Sequence, residues 1–159
     1  MGNALRRRLH QQRFAGPAHE AVLNVLVAAS VLQGWLDAVC ARHGVTAGQY
    51  NVLRILRGAH PAGLPRCDVA GRMIDRAPDI TRLIDRLVRA GLVRRAAPSG
   101  DRRRSVAGIT PAGLRLLAGM QKDIDAITAE VGKRLGRHEC ETLSDLCERL
   151  YAPGDNEAA

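Results

Sequence analysis

Between residues 18 and 43, apolar side chains recur at Val22, Val25, Leu26, Ala29, Leu32, Leu36, Val39 and Cys40, a 3/4 spacing that makes one stripe of an α-helix. A second stripe runs through Leu23, Val27, Val31 and Trp35. A helix that is apolar on two faces over three turns has to be covered on both sides. In a chain of 159 residues this predicts a subunit interface. Gly44 stops the helix.

Aromatic residues are 3% of the chain, so the core must be built from Leu, Val, Ile and Ala, which favours helices over a β-sandwich. Residues 3 to 14 read as a basic arm of helical character, ended by Gly16-Pro17. After Gly44 a helix over about 47 to 57 carries Tyr50, Leu53, Ile55 and Leu56. The turn-rich stretch GAHPAGLP (58 to 65) separates it from a helix over about 66 to 74. A brief turn then leads to Pro78, which suits a helix opening because its missing N–H costs nothing there. That helix, 78 to 90, turns Ile80, Leu83, Ile84, Leu87 and Val88 inward and leaves Asp79, Arg82, Arg86 and Arg89 on the opposite face. Two helices joined by so short a turn make a helix-turn-helix. Strands over about 92 to 96 and 105 to 109 form a hairpin with a basic tip, a wing. Thr110-Pro111 starts a long helix, Thr as cap and Pro in the first turn, with Leu117, Met120, Ile124, Ile127, Val131 and Leu135 on one face. A last helix holds Leu143, Leu146, Cys147 and Leu150. The fold class expected is mainly α with a small β-hairpin wing.

Charge is distributed unevenly along these elements. Between Arg66 and Arg104 there are eleven arginines, no lysine and five acids, a net of +6 within a whole-chain net of +8. From residue 105 onward six basic residues face nine acidic ones. A sequence pI near 10.3 points to an anionic partner, nucleic acid or membrane surface. Arginine suits bidentate contacts to phosphates and guanine edges, so the central segment reads as a DNA-reading head. No run of eighteen apolar residues occurs and no signal sequence opens the chain, so a cytoplasmic protein without a membrane partner is expected. Cys40, Cys67, Cys140 and Cys147 form no C-x-x-C pair and read as free thiols, with Cys140 and Cys147 on one helical face where they can meet their symmetry mates. The five histidines lack ligand spacing, and no triad or phosphate-binding Gly loop is present, so neither a metal, a cofactor nor an enzyme is expected.

From Val45 to Gly113 the sequence resembles the winged helix-turn-helix of the MarR-type bacterial transcription regulators. The resemblance is carried by TRLIDRLVRAGLVRR (81 to 95) and DRRRSVAGITPAG (101 to 113). In the second, Asp101, Arg103, Ile109, Thr110 and Gly113 fill the family's wing pattern: an Asp, an Arg two positions on, then Leu/Ile-Thr-x-x-Gly. The chain departs from the pattern in the small residues of Ser105-Val106-Ala107-Gly108, in Arg104, and in a basic arm longer than usual. The reading helix also lacks a Ser or Thr cap, and the N-terminal cysteine of peroxide-sensing members is absent.

The resemblance implies a homodimer whose arms are the first long helix and the last two. It implies that helix 78 to 90 enters the major groove of double-stranded DNA while the wing reaches the minor groove. By position, Thr81 and Arg82 would sit in the major groove, Arg103 at the wing tip, and Arg66 at a backbone contact, with Asp101 orienting the wing arginines. Arg76, Arg86, Arg102 and Arg104 complete the expected DNA-binding set. Asp79 reads as a partner of the helix dipole or as a selector of cytosine. Trp35, His43 and Tyr50 lie where the family holds small aromatic acids, and the same three residues also read as packing at that junction. The expected organisation is a basic arm (1 to 16), a dimerisation helix (17 to 44), the DNA-binding domain (45 to 110), dimerisation helices (111 to 152) and a tail (153 to 159). The function expected is a dimeric repressor, nucleoid-associated when bound, that recognises an inverted repeat and is released by a small aromatic or phenolic effector. A redox regulator switched through Cys40 or Cys67, and a sequence-indifferent nucleic-acid-binding protein, are the alternatives.

Overall fold

A computed structural model describes residues 3–75, 79–96 and 106–152. Pro78, Arg76, the wing residues 97 to 105 and the tail from 153 lie outside the described residues, and with them the expectations placed on Asp101, Arg102, Arg103 and Arg104. In chain order the elements are α1 (Asn3–Leu9), α2 (Pro17–Arg42), α3 (Ala47–Gly58), β1 (Leu64–Pro65), α4 (Arg66–Gly71), α5 (Ile80–Arg89), β2 (Val93–Ala96), β3 (Val106–Ile109), α6 (Pro111–Arg134) and α7 (Arg137–Tyr151). The chain divides into two compact units, Met1–Met120 and Gln121–Ala159.

The core of the first unit is centred on α3. Its Val52, Leu53 and Leu56 are fully buried, as are Val69 of α4, Leu87 of α5, Ile109 of β3 and Met120 of α6. Each such side chain contributes roughly 1.5–3 kcal/mol of burial. Gly44, in the left-handed region at φ 72°, lets the chain turn out of α2. Thr46 then opens α3 with a capping box: its hydroxyl accepts from Gln49 N–H (3.2 Å) while its own N–H donates to Gln49 Oε1 (2.9 Å).

Three short strands form an antiparallel sheet in the order β1-β3-β2. The hairpin pairs Val93 with Ile109 and Arg95 with Ala107. Strand β1, which pairs Leu64 with Ala107, was not expected: two residues inside a Gly/Pro-rich stretch show no alternation to read. Its entry explains Gly63, which has φ 76° and whose added Cβ would lie 2.5 Å from the Ala107 carbonyl oxygen. Helix α4 is also shorter than the expected 66 to 74 and is capped at Arg72.

Of the residues in the wing pattern, Thr110 and Gly113 have a packing role. The Thr110 hydroxyl donates to the Gly91 carbonyl (2.8 Å) and accepts from Gly113 N–H (3.1 Å), tying β3, the end of α5 and the first turn of α6 together. At Gly113 a Cβ would sit 2.5 Å from the Leu92 oxygen and 2.7 Å from Ile109 Cγ1, so this position accepts only glycine without a shift.

The first apolar stripe of α2 is exposed over Val22, Val25, Leu26 and Leu32, with Val22 at 56% and Leu26 at 61%, and is buried only at its end, at Val39 and Cys40. The second stripe, Leu23, Val27, Val31 and Trp35, is half-buried. By length and mean hydropathy (1.6 over its most apolar window) α2 is sufficient to cross a membrane. The sequence showed no unbroken apolar run because Asn24, Ser30, Gln33 and Gly34 interrupt it. In the second unit, α7 presents Leu143, Leu146 and Leu150 as exposed side chains.

Candidate nucleic-acid interface

Helix α5 is strongly two-faced. Ile80, Ile84 and Leu87 are buried, whereas Arg82, Arg86 and Arg89 are exposed. Its first residue is Ile80, and Asp79 is the N-cap: one carboxylate oxygen accepts from Arg82 N–H (3.2 Å). The sequence places the helix start at Pro78, outside the described residues, and reads Asp79 as a partner of the helix dipole or as a selector of cytosine. The capping carboxylate acts as a dipole partner as well as a cap, since it satisfies an orphan donor at the positive end of the helix.

The second carboxylate oxygen of Asp79 pairs with Arg82 Nε at 3.1 Å. Arg82 remains 81% exposed and Asp79 54% exposed, so this pair is a solvated one of about 0–1 kcal/mol. Its cost of rearrangement is small. Arg82 is therefore held near the start of α5 yet available to an incoming phosphate or base edge.

Arg66, the first residue of α4, sends Nη1 to the Thr81 hydroxyl at 2.9 Å. Two residues expected to touch DNA are thus brought together at the base of α5. Arg86 lies one turn beyond Arg82 on the exposed face. Other exposed arginines of the basic segment make contacts on the surface of the head: Arg95 pairs with Asp85, Arg89 Nε donates to the Asp85 carbonyl (3.4 Å), and Arg94 reaches the Pro61 carbonyl (3.5 Å). Sequence reasoning missed these contacts, because the Asp85 carboxylate on α5 reaches Arg95 on β2 across ten positions of sequence. Among the described residues no charged side chain is buried and no buried polar atom lacks a partner, so the charge of the head is displayed to solvent.

The three residues expected at a ligand site lie on α2, at its C-cap and on α3. Trp35 is half-buried on α2, and His43 caps the end of that helix, its N–H donating to Cys40 O at 3.1 Å. Tyr50 is 8% exposed beneath Arg54, whose guanidinium lies 5.9 Å from the ring centroid and whose Nη1 donates to the hydroxyl at 3.4 Å. A groove of ≈ 650 Å³ opens where α2, the start of α3 and the turn after α4 meet, but none of these three side chains lines it.

Cys40 is fully buried, and burial first, then the nearby Asp37 carboxylate, pushes its thiol from 9.0 up to about 11. A thiol so placed is a poor nucleophile toward oxidants. Cys67 is exposed on α4, with Sγ 3.3 Å from Asp68 Oδ1. No group of three or more metal-ligating side chains occurs among the described residues.

Comparison with known proteins agrees with this geometry. Residues 45–105 match the family described as MarR family. The chain is 27% identical to the homoprotocatechuate degradative operon repressor of Escherichia coli, over 84% of this chain and 95% of the repressor. It is similar to a crystal structure of a MarR transcription factor from Planctomyces limnophilus, at 34% identity and a TM-score of 0.66, covering 86% of this chain and 98% of the other. A crystal structure of NadR in complex with 4-hydroxyphenylacetate is 25% identical, with a TM-score of 0.67 and coverage of 91% and 98%.

Proposed function

The chain belongs to the MarR family of transcriptional regulators, and from that premise we propose that it is a homodimeric repressor that binds an inverted-repeat operator. The observation that carries this reading is α5, with Ile80, Ile84 and Leu87 buried behind it and Arg82 and Arg86 displayed in front. Thr81 and Arg82 enter the major groove. Arg66, joined to Thr81, takes a phosphate, and Arg76 and Arg86 add backbone contacts that give affinity and register. The wing supplies Arg102, Arg103 and Arg104 to the minor groove, oriented by Asp101.

Dimerisation accounts for the exposed apolar stripe of α2 and the exposed leucines of α7, which a water-facing surface would not keep. The same reading makes α2 an interface helix rather than a membrane span and the protein cytoplasmic, nucleoid-associated when bound. Twofold symmetry sets the two half-sites about one helical turn apart, ~10–10.5 base pairs. Blocking polymerase requires no covalent step, so the function needs neither a cofactor nor an enzyme's constellation.

Release follows when a small aromatic or phenolic effector stabilises a dimer whose reading helices are wrongly spaced. The E. coli relative's name and the NadR ligand support this class, and Trp35, His43 and Tyr50 are the residues proposed to meet it. A ~100-fold loss of operator affinity requires a preference of roughly 2.7 kcal/mol for the released state, an ordinary coupling energy. Burial of Cys40 speaks against a peroxide switch at that position. Anisotropy titration of duplexes carrying the upstream DNA tests the reading: the operator should bind ~10³-fold or more tighter than a scrambled duplex. Equal affinity for both would leave a sequence-indifferent binder in its place.

A further inference from the structure

The carboxylate of Asp79 is used twice at the start of α5. One oxygen accepts from Arg82 N–H at 3.2 Å and caps the helix, while the other meets Arg82 Nε at 3.1 Å. Residues at i and i+3 are neighbours on a helix surface, so the cap and the arginine share one exposed face. The Nε contact falls on the side of the guanidinium and the side chain stays 81% exposed, so its Nη1 and Nη2 end can still take a partner. The adjacent carboxylate also offsets the positive charge of Arg82, which weakens its attraction to a phosphate. Arg66 differs: its guanidinium is bonded to the neutral hydroxyl of Thr81, which offsets none of its charge.

We propose that Asp79 is a positioning residue that sets base specificity: by holding Arg82 at Nε, it makes that arginine a reader of guanine rather than a clamp on phosphate. This rests on the operator-binding function proposed above and deepens it at one contact. A guanidinium engaged at Nε has one edge left for bidentate pairing, the two coplanar donors Nη1 and Nη2. In the major groove guanine alone offers two acceptors, O6 and N7, to such a pair. Adenine sets an acceptor beside a donor, cytosine presents a donor, and thymine a single acceptor. Holding a long side chain before contact also reduces the freedom it loses on binding. Asp79 itself has both oxygens engaged by Arg82, so a cytosine amino group would have to compete with the cap.

Selection from a randomised duplex pool, with the full native chain, Asp79→Asn, Asp79→Ser and Arg82→Ala, tests the assignment. Asn and Ser keep a capping oxygen and remove the charge, so circular dichroism should show the helix retained in both. The native protein should enrich a guanine in each half-site that Arg82→Ala no longer enriches. Both Asp79 variants should lower the preference for that guanine ~5-fold or more. They should also bind a scrambled duplex ~3-fold tighter, with a salt slope steeper by about 1 per reading helix, because the released arginine turns to phosphate. A base profile or a salt slope equal to the native one leaves Asp79 a helix cap alone and overturns the proposal. A base other than guanine at the position read by Arg82, or a preference lost at a different pair in the Asp79 variants, overturns it as well. A pool that the native protein leaves random is the failure of the operator-binding function itself. An inverted repeat enriched equally by native protein and Asp79→Asn is the failure of this inference alone.

Discussion

Arg66 and Thr81, fifteen positions apart, are joined by a 2.9 Å hydrogen bond from guanidinium to hydroxyl, which links the first turn of α4 to the first turn of α5. The bond is solvent-exposed and adds little to stability. Its consequence in the proposed complex is orientational: Arg66, proposed to take a phosphate, is aimed by Thr81, proposed to face the groove.

Thr81→Val removes the acceptor and keeps the shape. Operator affinity should fall ~5–10-fold, about 1–1.4 kcal/mol, while the thermal midpoint stays within a degree or two. Fluorescence anisotropy with a labelled operator gives the first quantity and circular dichroism the second. An unchanged affinity would show that the Arg66–Thr81 contact plays no part in binding.

Gly113→Ala places a methyl group 2.5 Å from the Leu92 oxygen and should destabilise the protein by ~2–4 kcal/mol through backbone displacement. Thr110→Val removes the cap of α6 and the tie to Gly91, and should cost ~1–2 kcal/mol. Urea denaturation at fixed protein concentration measures both. A neutral Gly113→Ala would contradict the close approach of α6 to the hairpin.

The sequence was legible where a single element carries its own periodicity. The two faces of α2, the amphipathic α5 and the Thr110-Pro111 start of α6 all follow from spacing and capping chemistry. It was opaque where structure depends on distant partners. Strand β1 is two residues long and exists because β3 pairs with it. The contacts of Arg95 with Asp85 and of Arg94 with the Pro61 carbonyl are tertiary facts that charge counting cannot see. Trp35, His43 and Tyr50 are grouped by adjacency to one junction, and the groove described at that junction is lined by other residues.

Cys40 makes a chemical prediction. With its thiol raised on folding from 9.0 to about 11, the stabilising effect is complete below pH 9.0 and is lost as pH rises through about 11. The stability of the native protein should therefore fall across that window more than that of Cys40→Ala. At pH 8, iodoacetamide should label Cys67 and spare Cys40 in the folded state, read by peptide mass mapping. Rapid labelling of Cys40 at that pH would contradict its burial.

Leu26 is 61% exposed in the centre of α2. Leu26→Lys puts a charge into the proposed dimer interface and should shift sedimentation from dimer toward monomer, raising the dimer dissociation constant ~10-fold or more. Because that side chain is not part of the chain's own core, the helical content should be retained. A variant that remains as dimeric as the native protein would place the interface elsewhere.

Selection of duplexes from a random pool, followed by sequencing, measures the central claim most directly. The native protein should enrich an inverted repeat with half-site centres ~10–10.5 base pairs apart. Arg82→Ala should lose preference at particular base pairs of each half-site, by ~1–3 kcal/mol, while Arg103→Ala lowers affinity uniformly and reduces the salt slope by about 1. A pool that stays random, or an Arg82→Ala profile identical to the native one, would contradict the account.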